Sequence, residues 1–390
     1  MDNGLSASFS CCFRPMTMKV LVLYQGVQSG SKIATESIVR ELRGLYPESI
    51  FIVYQQCPQV AVSGPLSFLK YLLWSMWDFR RVINQKRSIT CVYSTMYTAI
   101  ISQWLSKKRQ IPSIFHVHGD QRFGREPNNN LLRTVYRIFL GRIVILLQKL
   151  AVHFATRVCF VSSTAQHEFL SRYHLQIHTG KSTILPNGVD TKKFFPSSRA
   201  RPHDRHKPTL LYVGRIDEKK GIHRLMHSLE YLRALSPRLV VAYPSYFDRH
   251  SASYFSRLQG VAERVAGVTI SFVKNPKNLT ALYHGAHCII LPSTQEMAPL
   301  VVLEALACGT PLLCANVGGI STMLGPLAFY CVLPSDRPVA IAEAIKKTLS
   351  FSPKLRAKLQ RDGVMIASKY SWRATAKNLY ALIAEITQPW

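Results

Sequence analysis

Short apolar runs that alternate with helix-like stretches are the feature that most constrains the fold of this chain. Such a run is typical of a strand that is buried on both faces of a parallel sheet. In the first half the runs occupy residues 19–24, 50–54, 89–93, 113–117 and 157–161. Helix-like stretches separate them, and this βαβ series predicts a doubly wound parallel sheet.

The same alternation starts again after a polar segment near residues 196–208. The second series of strand-like runs lies at 209–214, 238–243, 268–272, 287–291, 311–314 and 328–332. Residues 336–387 have helical patterns. A chain of 390 residues is long enough for two domains. We therefore predict an α/β fold of two facing Rossmann-like domains, with a cleft at the carboxyl ends of the strands.

The segment SSRARPHDRHKP between the two halves has the composition of a linker. We place the boundary there and predict three regions in order along the chain. These are a loose N-terminal extension at 1–17, a first domain at 18–195 and a second domain at 196–370.

The chain is strongly basic, with 49 Lys and Arg against 21 Asp and Glu, for a formal charge of +28. Such a charge favours an anionic membrane surface, phosphorylated substrates or nucleic acid, without choosing among them. No recognised nucleic-acid-binding motif is present, so we expect no nucleic acid partner.

The nine cysteines are irregularly spaced, which is typical of buried thiols in a reducing compartment. The N-terminal residues are polar and lack the apolar core of a secretory signal. No uninterrupted apolar run reaches the about 18–20 residues that a membrane span needs. We therefore expect a cytoplasmic protein.

Two segments of the first half, at residues 66–87 and 131–154, are both basic and amphipathic. Helices of this kind can lie in a membrane interface, with aromatic rings in the lipid and cations against the headgroups. They can equally be core helices with a solvated face. We favour the core interpretation for 131–154, and for 66–87 both interpretations stay open.

The most informative constellation is LPSTQEMAPLVVLEALACGTPLL at residues 291–313. A strand is predicted to end at Leu291, with Glu296 in the following loop and Glu304 on a helix that starts near Pro299. The start of that helix offers backbone N–H groups to a phosphate. A carboxylate can accept two neighbouring sugar hydroxyls, which suits both acids, although either acid alone would more often be a surface charge.

A second constellation follows the predicted strand that ends at Gly214. Arg215 and Lys220 lie in the loop after it, and Gly221 opens a helix. Two cations at a helix start form a diphosphate site. A solvated charged turn is the alternative interpretation, and this segment alone does not decide between them.

Three further segments carry weaker signals. His118 follows a predicted strand and would project into the cleft, although a lone histidine there is more often structural. The segment 185–196 contains a Pro-Asn-Gly turn. The loop QGVQSGSK after the first strand has Gly26 and Gly30, which do not form a dinucleotide fingerprint.

The order of these five segments resembles the retaining GT-B glycosyltransferases that are called group 1 or family 4. The resemblance extends from Lys19 to about Tyr380, and its most specific part is the pair Glu296 and Glu304. Residues 370–382, YSWRATAKNLYAL, are similar to the last helix of that family, which crosses back to the first domain. The resemblance therefore implies a GT-B architecture with such a helix at 371–390.

The resemblance also implies a role for each candidate residue. Arg215 and Lys220 would hold the donor diphosphate, Glu304 the ribose and Glu296 the donor sugar. The full implied donor-binding set is Gly214, Arg215, Lys220, Glu296, Ala298, Pro299, Leu300 and Glu304. His118 would act beside Glu296 and the two cations in catalysis, and Gly30 would line the acceptor side. The family needs no metal and no cofactor, because the nucleotide-sugar is the donor substrate and cations neutralise the leaving group.

The implied function is metal-independent transfer of a hexose, with retention, from a nucleotide-sugar to the hydroxyl of a glycan or lipid-linked acceptor. With the basic, aromatic first half, it predicts polysaccharide, lipopolysaccharide or glycolipid biosynthesis, with peripheral contact to an anionic membrane on its cytoplasmic face. The loop at 25–32 lacks the family's two adjacent glycines, and Ser321-Thr322 replaces its Pro-Glu. A non-catalytic subunit that binds a nucleotide-sugar is therefore the alternative.

Overall fold

The computed structural model describes residues 17–25, 30–56, 75, 77–84, 88–95, 99–118, 131–197, 207–244 and 249–388. Two parallel sheets organise them. The first sheet has the strand order β2-β1-β3-β4-β5-β6. Its strands are β1 (Lys19–Gln25), β2 (Ile50–Gln56), β3 (Cys91–Ser94), β4 (Ser113–Val117), β5 (Arg157–Phe160) and β6 (Ser182–Ile184). The interior strands β3 and β4 are buried along their whole length, as strands between two helical layers require, whereas the edge strands β2 and β6 are partly exposed.

Helices cover both faces of the first sheet. They are α1 (Gly30–Leu45), α2 (residues 77–84), α3 (Ala99–Lys108), α4 (Leu131–Phe154) and α5 (Ser163–Tyr173). Apolar side chains of α2 to α5 share one core with alternate residues of β1, such as Leu21. The other alternate residues, such as Val20, pack with α1. Helices α2 to α5 therefore form one layer, and α1 lies on the opposite face.

The second sheet has the order β11-β10-β7-β8-β9. Its strands are β7 (Thr209–Val213), β8 (Arg238–Tyr243), β9 (Thr269–Lys274), β10 (Cys288–Leu291) and β11 (Leu312–Cys314). Its helices are α6 (Ile222–Ser228), α7 (Arg249–Arg264), α8 (Leu279–Gly285), α9 (Leu300–Ala307), α10 (Ile320–Leu324), α11 (Ala328–Cys331), α12 (Pro338–Leu349) and α13 (Pro353–Lys369). One apolar core lies on each face of this sheet.

The strand predicted at residues 328–332 is wrong, because α11 occupies this stretch. Leu327 and Cys331 are buried, and they are four residues apart, which places them on one side of a helix. Phe329 lies between them and is 78% exposed. What remains of sheet pairing is one bridge between Val332 and Cys314.

The last helix, α14 (Trp372–Thr387), returns to the first sheet. Trp372, Leu379 and Ile383 are buried in the same core as Val20 and the inner side of α1. The chain before α14 is also attached to the first half, because the Val189 N–H donates to the Tyr370 carbonyl at 2.7 Å. Burial of this apolar face holds the two halves of the molecule together.

Several sequence predictions fall outside the described residues. They are the extension up to residue 16, residues 26–29 of the loop after β1 with Gly26, residues 66–74, 76 and 85–87 of the first amphipathic segment, and residues 198–206 of the linker. Within the described ranges, no helix has both the length and the apolar character to cross a bilayer. The same residues contain no group of three His, Cys, Asp or Glu side chains arranged to hold a metal ion.

Candidate functional site

Lys220 and Glu296 form an ion pair where two neighbouring interior strands of the second sheet end. Lys220 lies in the loop after β7 and Glu296 in the loop after β10, and β7 and β10 are neighbours. Lys220 Nζ donates to Glu296 Oε1 at 2.7 Å, and the Ser293 hydroxyl donates to the same oxygen at 2.8 Å. Glu296 is only 8% exposed, so water screens the pair weakly. The two loops thus hold the Lys220 ammonium and the Glu296 carboxylate in direct contact.

Backbone contacts keep the two loops in register. Gly221 has a φ of +67°, and a Cβ at this position would overlap the carbonyl oxygen of Pro292 in the other loop. The Thr294 N–H donates to the Lys219 carbonyl at 2.7 Å. Residue 221 must therefore be glycine, because both its conformation and its close neighbour exclude a side chain.

A second glycine supports Glu296 from the opposite side. Gly318 has a φ of +58°, and a Cβ there would overlap the Glu296 carbonyl oxygen. The next residue, Gly319, donates its N–H to the Met297 carbonyl at 3.2 Å. The loop that carries Glu296 is thus held between the loop after β7 and the loop after β11.

Arg215 lies near this pair in sequence but has a different environment. Its side chain is 52% exposed, and its guanidinium lies 3.5 Å from the Asp217 carboxylate. Its carbonyl accepts a hydrogen bond of 2.8 Å from the Tyr212 hydroxyl, and Gly214 before it donates to the Ala242 carbonyl. Arg215 is therefore a solvent-facing cation on a fixed backbone.

Glu304 lies on α9, about one turn beyond Leu300. Its Oε2 accepts a hydrogen bond of 2.6 Å from the Tyr283 hydroxyl. Burial raises the pKa of Glu304, while the Tyr283 bond and the nearby Lys193 charge oppose the rise. The carboxylate is thus partly shielded from water and already has one hydroxyl partner.

The chain segment before α9 is held by the first half of the molecule. Asn187 Nδ2 donates to the Ala298 carbonyl at 2.9 Å. Pro299 is the N-cap residue of α9 and Leu300 its first residue. Because proline has no N–H, Ala298 and Leu300 are the members of this predicted trio that can donate from the backbone.

His118 follows β4, at the carboxyl end of the first sheet. Its ring lies 4.0 Å from the ring of His116, and its Nε2 is buried without a hydrogen-bond partner. Burial lowers the pKa of His118 to about 4, and the neighbouring Asn187 side chain opposes the shift. His116 is fixed by the Tyr93 hydroxyl at 2.6 Å and the Leu185 carbonyl at 3.2 Å. Burial and the neighbouring His118 also lower the pKa of His116, so both imidazoles are uncharged near neutral pH.

Gly30 is the first residue of α1 and is exposed. A Cβ added at this position would have no atom within 4 Å, so it faces open space. The structure thus brings Lys220 and Glu296 into contact and places Glu304 on the adjoining helix. Arg215 has a separate carboxylate partner, and His118 reaches the second half through Asn187.

Sequence reasoning missed three side chains that hold this arrangement, namely Tyr283, Ser293 and Asn187. Asn187 was interpreted as part of a turn only, yet it contacts Ala298 across 111 residues. The sequence feature that could have indicated this contact is Gly188, the next residue. A Cβ at Gly188 would overlap the backbone of Trp372. Such a close approach indicates a packed turn rather than a free one.

Two family models match the two halves of the chain. Residues 37–193 match "Glycosyltransferase Family 4", and residues 196–363 match "Glycosyl transferases group 1". Together the two matches include His118 and Asn187 in the first half and the Lys220–Glu296 pair in the second.

Curated relatives match about half of the chain. A D-inositol 3-phosphate glycosyltransferase of Segniliparus rotundus is 31% identical over 213 residues, which are 52% of this chain and 46% of the relative. An enzyme with the same name from Frankia alni is 31% identical over 211 residues, 50% of this chain and 51% of the relative. The chain thus spans about half the length of the curated relatives it matches.

Solved structures match nearly the whole chain. Sucrose-phosphate synthase of Thermosynechococcus elongatus aligns with a TM-score of 0.76 and 19% identity, over 95% of this chain and 99% of its own. HepE of Anabaena in complex with UDP and glucose aligns with a TM-score of 0.70 and 17% identity, over 94% and 99%. The predicted α/β fold of two facing Rossmann-like domains in a GT-B architecture is confirmed.

Proposed function

Because the chain belongs to the group 1 family of GT-B glycosyltransferases, we propose that it transfers a sugar from a nucleotide-sugar to the hydroxyl group of an acceptor. The observation that carries this proposal is the ion pair of Lys220 and Glu296 at the ends of two neighbouring strands. An open parallel sheet binds ligands at that edge. Lys220 offers a cation to a phosphate and Glu296 offers a carboxylate to sugar hydroxyls, and the two side chains are in direct contact.

In this proposal the donor diphosphate lies against Lys220 and Arg215. Lys220 would exchange part of its contact with Glu296 for a phosphate oxygen, and the exposed Arg215 would turn from Asp217 to the phosphates. Both cations neutralise the charge that grows on the diphosphate as it leaves, and this differential stabilisation lowers the barrier.

Glu304 and Glu296 would bind the hydroxyl groups of the donor. We assign the ribose to Glu304, whose Oε2 already accepts one hydroxyl, that of Tyr283. Glu296 would accept from the sugar once Lys220 turns to the phosphates, with the backbone N–H groups of Ala298 and Leu300 beside it. His118 is neutral and has a buried ring nitrogen free to bond the sugar.

The reaction would proceed with retention at the anomeric carbon. The bond between that carbon and the diphosphate breaks, and the acceptor oxygen bonds to the carbon on the face that the diphosphate leaves. The acceptor proton passes to the departing diphosphate. Lys220 and Arg215 would hold the diphosphate close enough to receive it.

We propose a glycan or lipid-linked acceptor, in polysaccharide, lipopolysaccharide or glycolipid biosynthesis at a membrane surface on its cytoplasmic side. The relatives' names add inositol phosphate as an acceptor to include in the first tests. The complexes of HepE with UDP and UDP-glucose make uridine donors the first to try.

A donor screen tests the proposal. Purified protein is mixed with a panel of nucleotide-sugars, with and without acceptors, and the release of nucleoside diphosphate is followed. We expect one donor to be turned over, with a loss of about 100-fold or more in Lys220→Ala and Glu304→Ala. Lys219→Ala is the matched control, because its side chain is exposed and only its backbone contacts the site.

A non-catalytic subunit that binds the nucleotide-sugar is the second candidate. The loop after β1, which lacks the adjacent glycines, favours it. Donor binding that is lost in Lys220→Ala, together with no turnover of any donor in the presence of acceptors, would support this candidate and overturn catalysis.

A further inference from the structure

The outer sides of α2, α3 and α4 carry a repeated pattern of exposed residues. Trp77, Arg80 and Arg81 stand on α2 with spacing i, i+3, i+4, and all three are exposed. Trp104, Lys107 and Lys108 on α3 have the same spacing and the same exposure. Residues with this spacing share one side of a helix, so each helix presents a tryptophan beside two cations.

These helices lie side by side on one face of the first sheet. Inward-facing residues of all three share one apolar core, and α3 packs directly against α4. Arg109 at the end of α3 donates to the Asn84 side chain on α2. Their outward sides therefore form one continuous surface, which we call the α2–α4 face.

Helix α4 extends the same surface with Arg142, Ile145 and Leu146, again with spacing i, i+3, i+4 and all exposed. Leu146 is 54% exposed and Trp77 is 59% exposed. Large apolar side chains that stand among cations match a bilayer interface, where rings and aliphatic chains enter the lipid and cations meet the headgroups.

The described residues of the α2–α4 face carry an excess of positive charge. In the described residues of these three helices the acidic side chain is Asp78, which is buried and accepts a hydrogen bond from Tyr54. Lys181 beside α4 has a lowered pKa, first through burial and then through repulsion by Lys107. Among the described residues, the exposed cations of these three helices therefore have no exposed carboxylate on the same helices.

The tryptophan rings are held in position by their own cations. The Arg81 guanidinium lies 5.6 Å from the Trp77 ring centre, and Lys108 Nζ lies 5.7 Å from that of Trp104. A cation above an aromatic ring is attracted by its π-electrons. Each ring thus lies at the surface with a positive charge beside it, and the apolar Ile145 and Leu146 add aliphatic surface of the kind that enters lipid.

The opposite face of the first sheet carries charges of both signs. Arg40 pairs with Asp190 at 3.0 Å, and Arg157 pairs with Glu385 on α14 at 2.6 Å. In the described part of the first half, these cations on the opposite face thus have carboxylate partners.

From this geometry we propose that the α2–α4 face is a docking surface for an anionic lipid bilayer. The tryptophan and aliphatic side chains enter the interface, and the lysine and arginine side chains contact acidic headgroups. This inference rests on the membrane location proposed above and names the surface that would provide it. The docking surface is separate from the Lys220–Glu296 pair, so vesicle binding and donor turnover can be measured independently.

Vesicle flotation of the full chain tests the proposal. We expect binding to vesicles of phosphatidylcholine with phosphatidylglycerol, weak binding to phosphatidylcholine alone, and weaker binding at high salt. Lys107→Gln combined with Lys108→Gln lowers binding to the anionic vesicles by about 10- to 30-fold. The matched control is Lys346→Gln with Lys347→Gln, an exposed lysine pair at the end of α12.

A second pair of variants tests the apolar part of the face. Trp77→Ser with Trp104→Ser lowers vesicle binding, whereas Phe329→Ser, which removes an exposed ring from the other half, leaves it unchanged. Equal losses in the two lysine pairs, binding that ignores lipid charge, or binding to single-stranded RNA but not to vesicles would each overturn the proposal. Donor turnover without acceptor, measured on the same variants, keeps failure of docking distinct from failure of catalysis.

Discussion

The candidate site has two sides. The side chains that follow the strands of the second sheet there are charged, whereas those that follow the strands of the first sheet are neutral. Lys220 and Glu296 stand 2.7 Å apart at the second sheet. His118 and Asn187 are neighbours at the first, and burial keeps the imidazole of His118 uncharged near neutral pH. The two sides are in contact, since Asn187 bonds the carbonyl of Ala298, two residues from Glu296.

The difference follows from what burial permits. A charge is buried at a tolerable cost only with an opposite charge or with hydrogen bonds, and Lys220 and Glu296 meet that condition together. A histidine without such a partner responds by losing its proton. Under the function proposed above, the charged side would therefore bind the diphosphate of the donor, and the neutral side would bind hydroxyl groups, which need hydrogen bonds but no charge.

The largest expected difference between the two sides is the effect of variants on the affinity for a nucleoside diphosphate that carries no sugar. Lys220→Ala should weaken this binding by about 10- to 100-fold, because it removes a charge-assisted hydrogen bond. His118→Ala should leave the affinity unchanged and reduce turnover of the complete nucleotide-sugar. Calorimetric titration with the diphosphate of the preferred donor measures the first effect. Equal weakening by both variants would contradict the division into a charged and a neutral side.

Backbone restraint also differs between the two sides. Gly221→Ala should lower the free energy of unfolding by more than about 2 kcal/mol, because it combines a left-handed φ with overlap on Pro292. Gly30→Ala is the control on the first half, where a Cβ meets open space, and should be neutral or slightly stabilising. Urea unfolding of both variants gives the comparison, and similar stabilities would show that the loop after β7 rearranges freely.

Much of the fold and part of the candidate site follow from the sequence alone. The apolar runs indicate the strands because a strand between two helical layers has no polar face to reveal. The run at 328–332 was wrongly predicted as a strand because its hydrophobicity was considered without its spacing. Cys331 and Leu327, which directly precedes the run, are both buried and are four residues apart, as on one side of a helix. Lys220 and Glu296 are 76 residues apart, but each follows a predicted strand, so parallel topology was enough to bring them close.

The remaining contacts depend on packing that a local pattern does not encode. Tyr283 lies on α8 in no recognisable motif, yet its hydroxyl bonds Glu304 across 21 residues. Arg215 is five residues from Lys220, yet it faces solvent and lies beside Asp217. The direction of a side chain in a loop depends on backbone angles that the sequence specifies only where a glycine or a proline fixes them.

The neutral side of the site should lower the free energy of unfolding in acid. The pKa of His118 is about 4 in the folded protein, against an ordinary value near 6.5, because burial disfavours the imidazolium. A lowered folded pKa means that the unfolded chain binds the proton first, so stability falls as pH drops from about 6.5 to about 4. His118→Asn should remove part of this fall, on the order of 2 kcal/mol. Unfolding free energies across this pH range test it, and parallel curves would contradict a neutral, buried His118.

On the charged side, Glu304 should lower stability as pH rises rather than as it falls. We expect this to be the smallest of the four predicted effects. Burial raises the pKa of Glu304 in the folded protein, so its contribution to stability is complete below the ordinary carboxyl pKa and is lost as pH rises through the raised value. Glu304→Gln keeps an acceptor for the Tyr283 hydroxyl without the charge. The variant should therefore melt above the wild type at neutral pH and converge with it in acid, while it loses donor turnover. A gain in melting temperature with a loss of turnover would mean that the charge at this position serves binding at a cost to stability. Equal melting temperatures at all pH values would place Glu304 in contact with water.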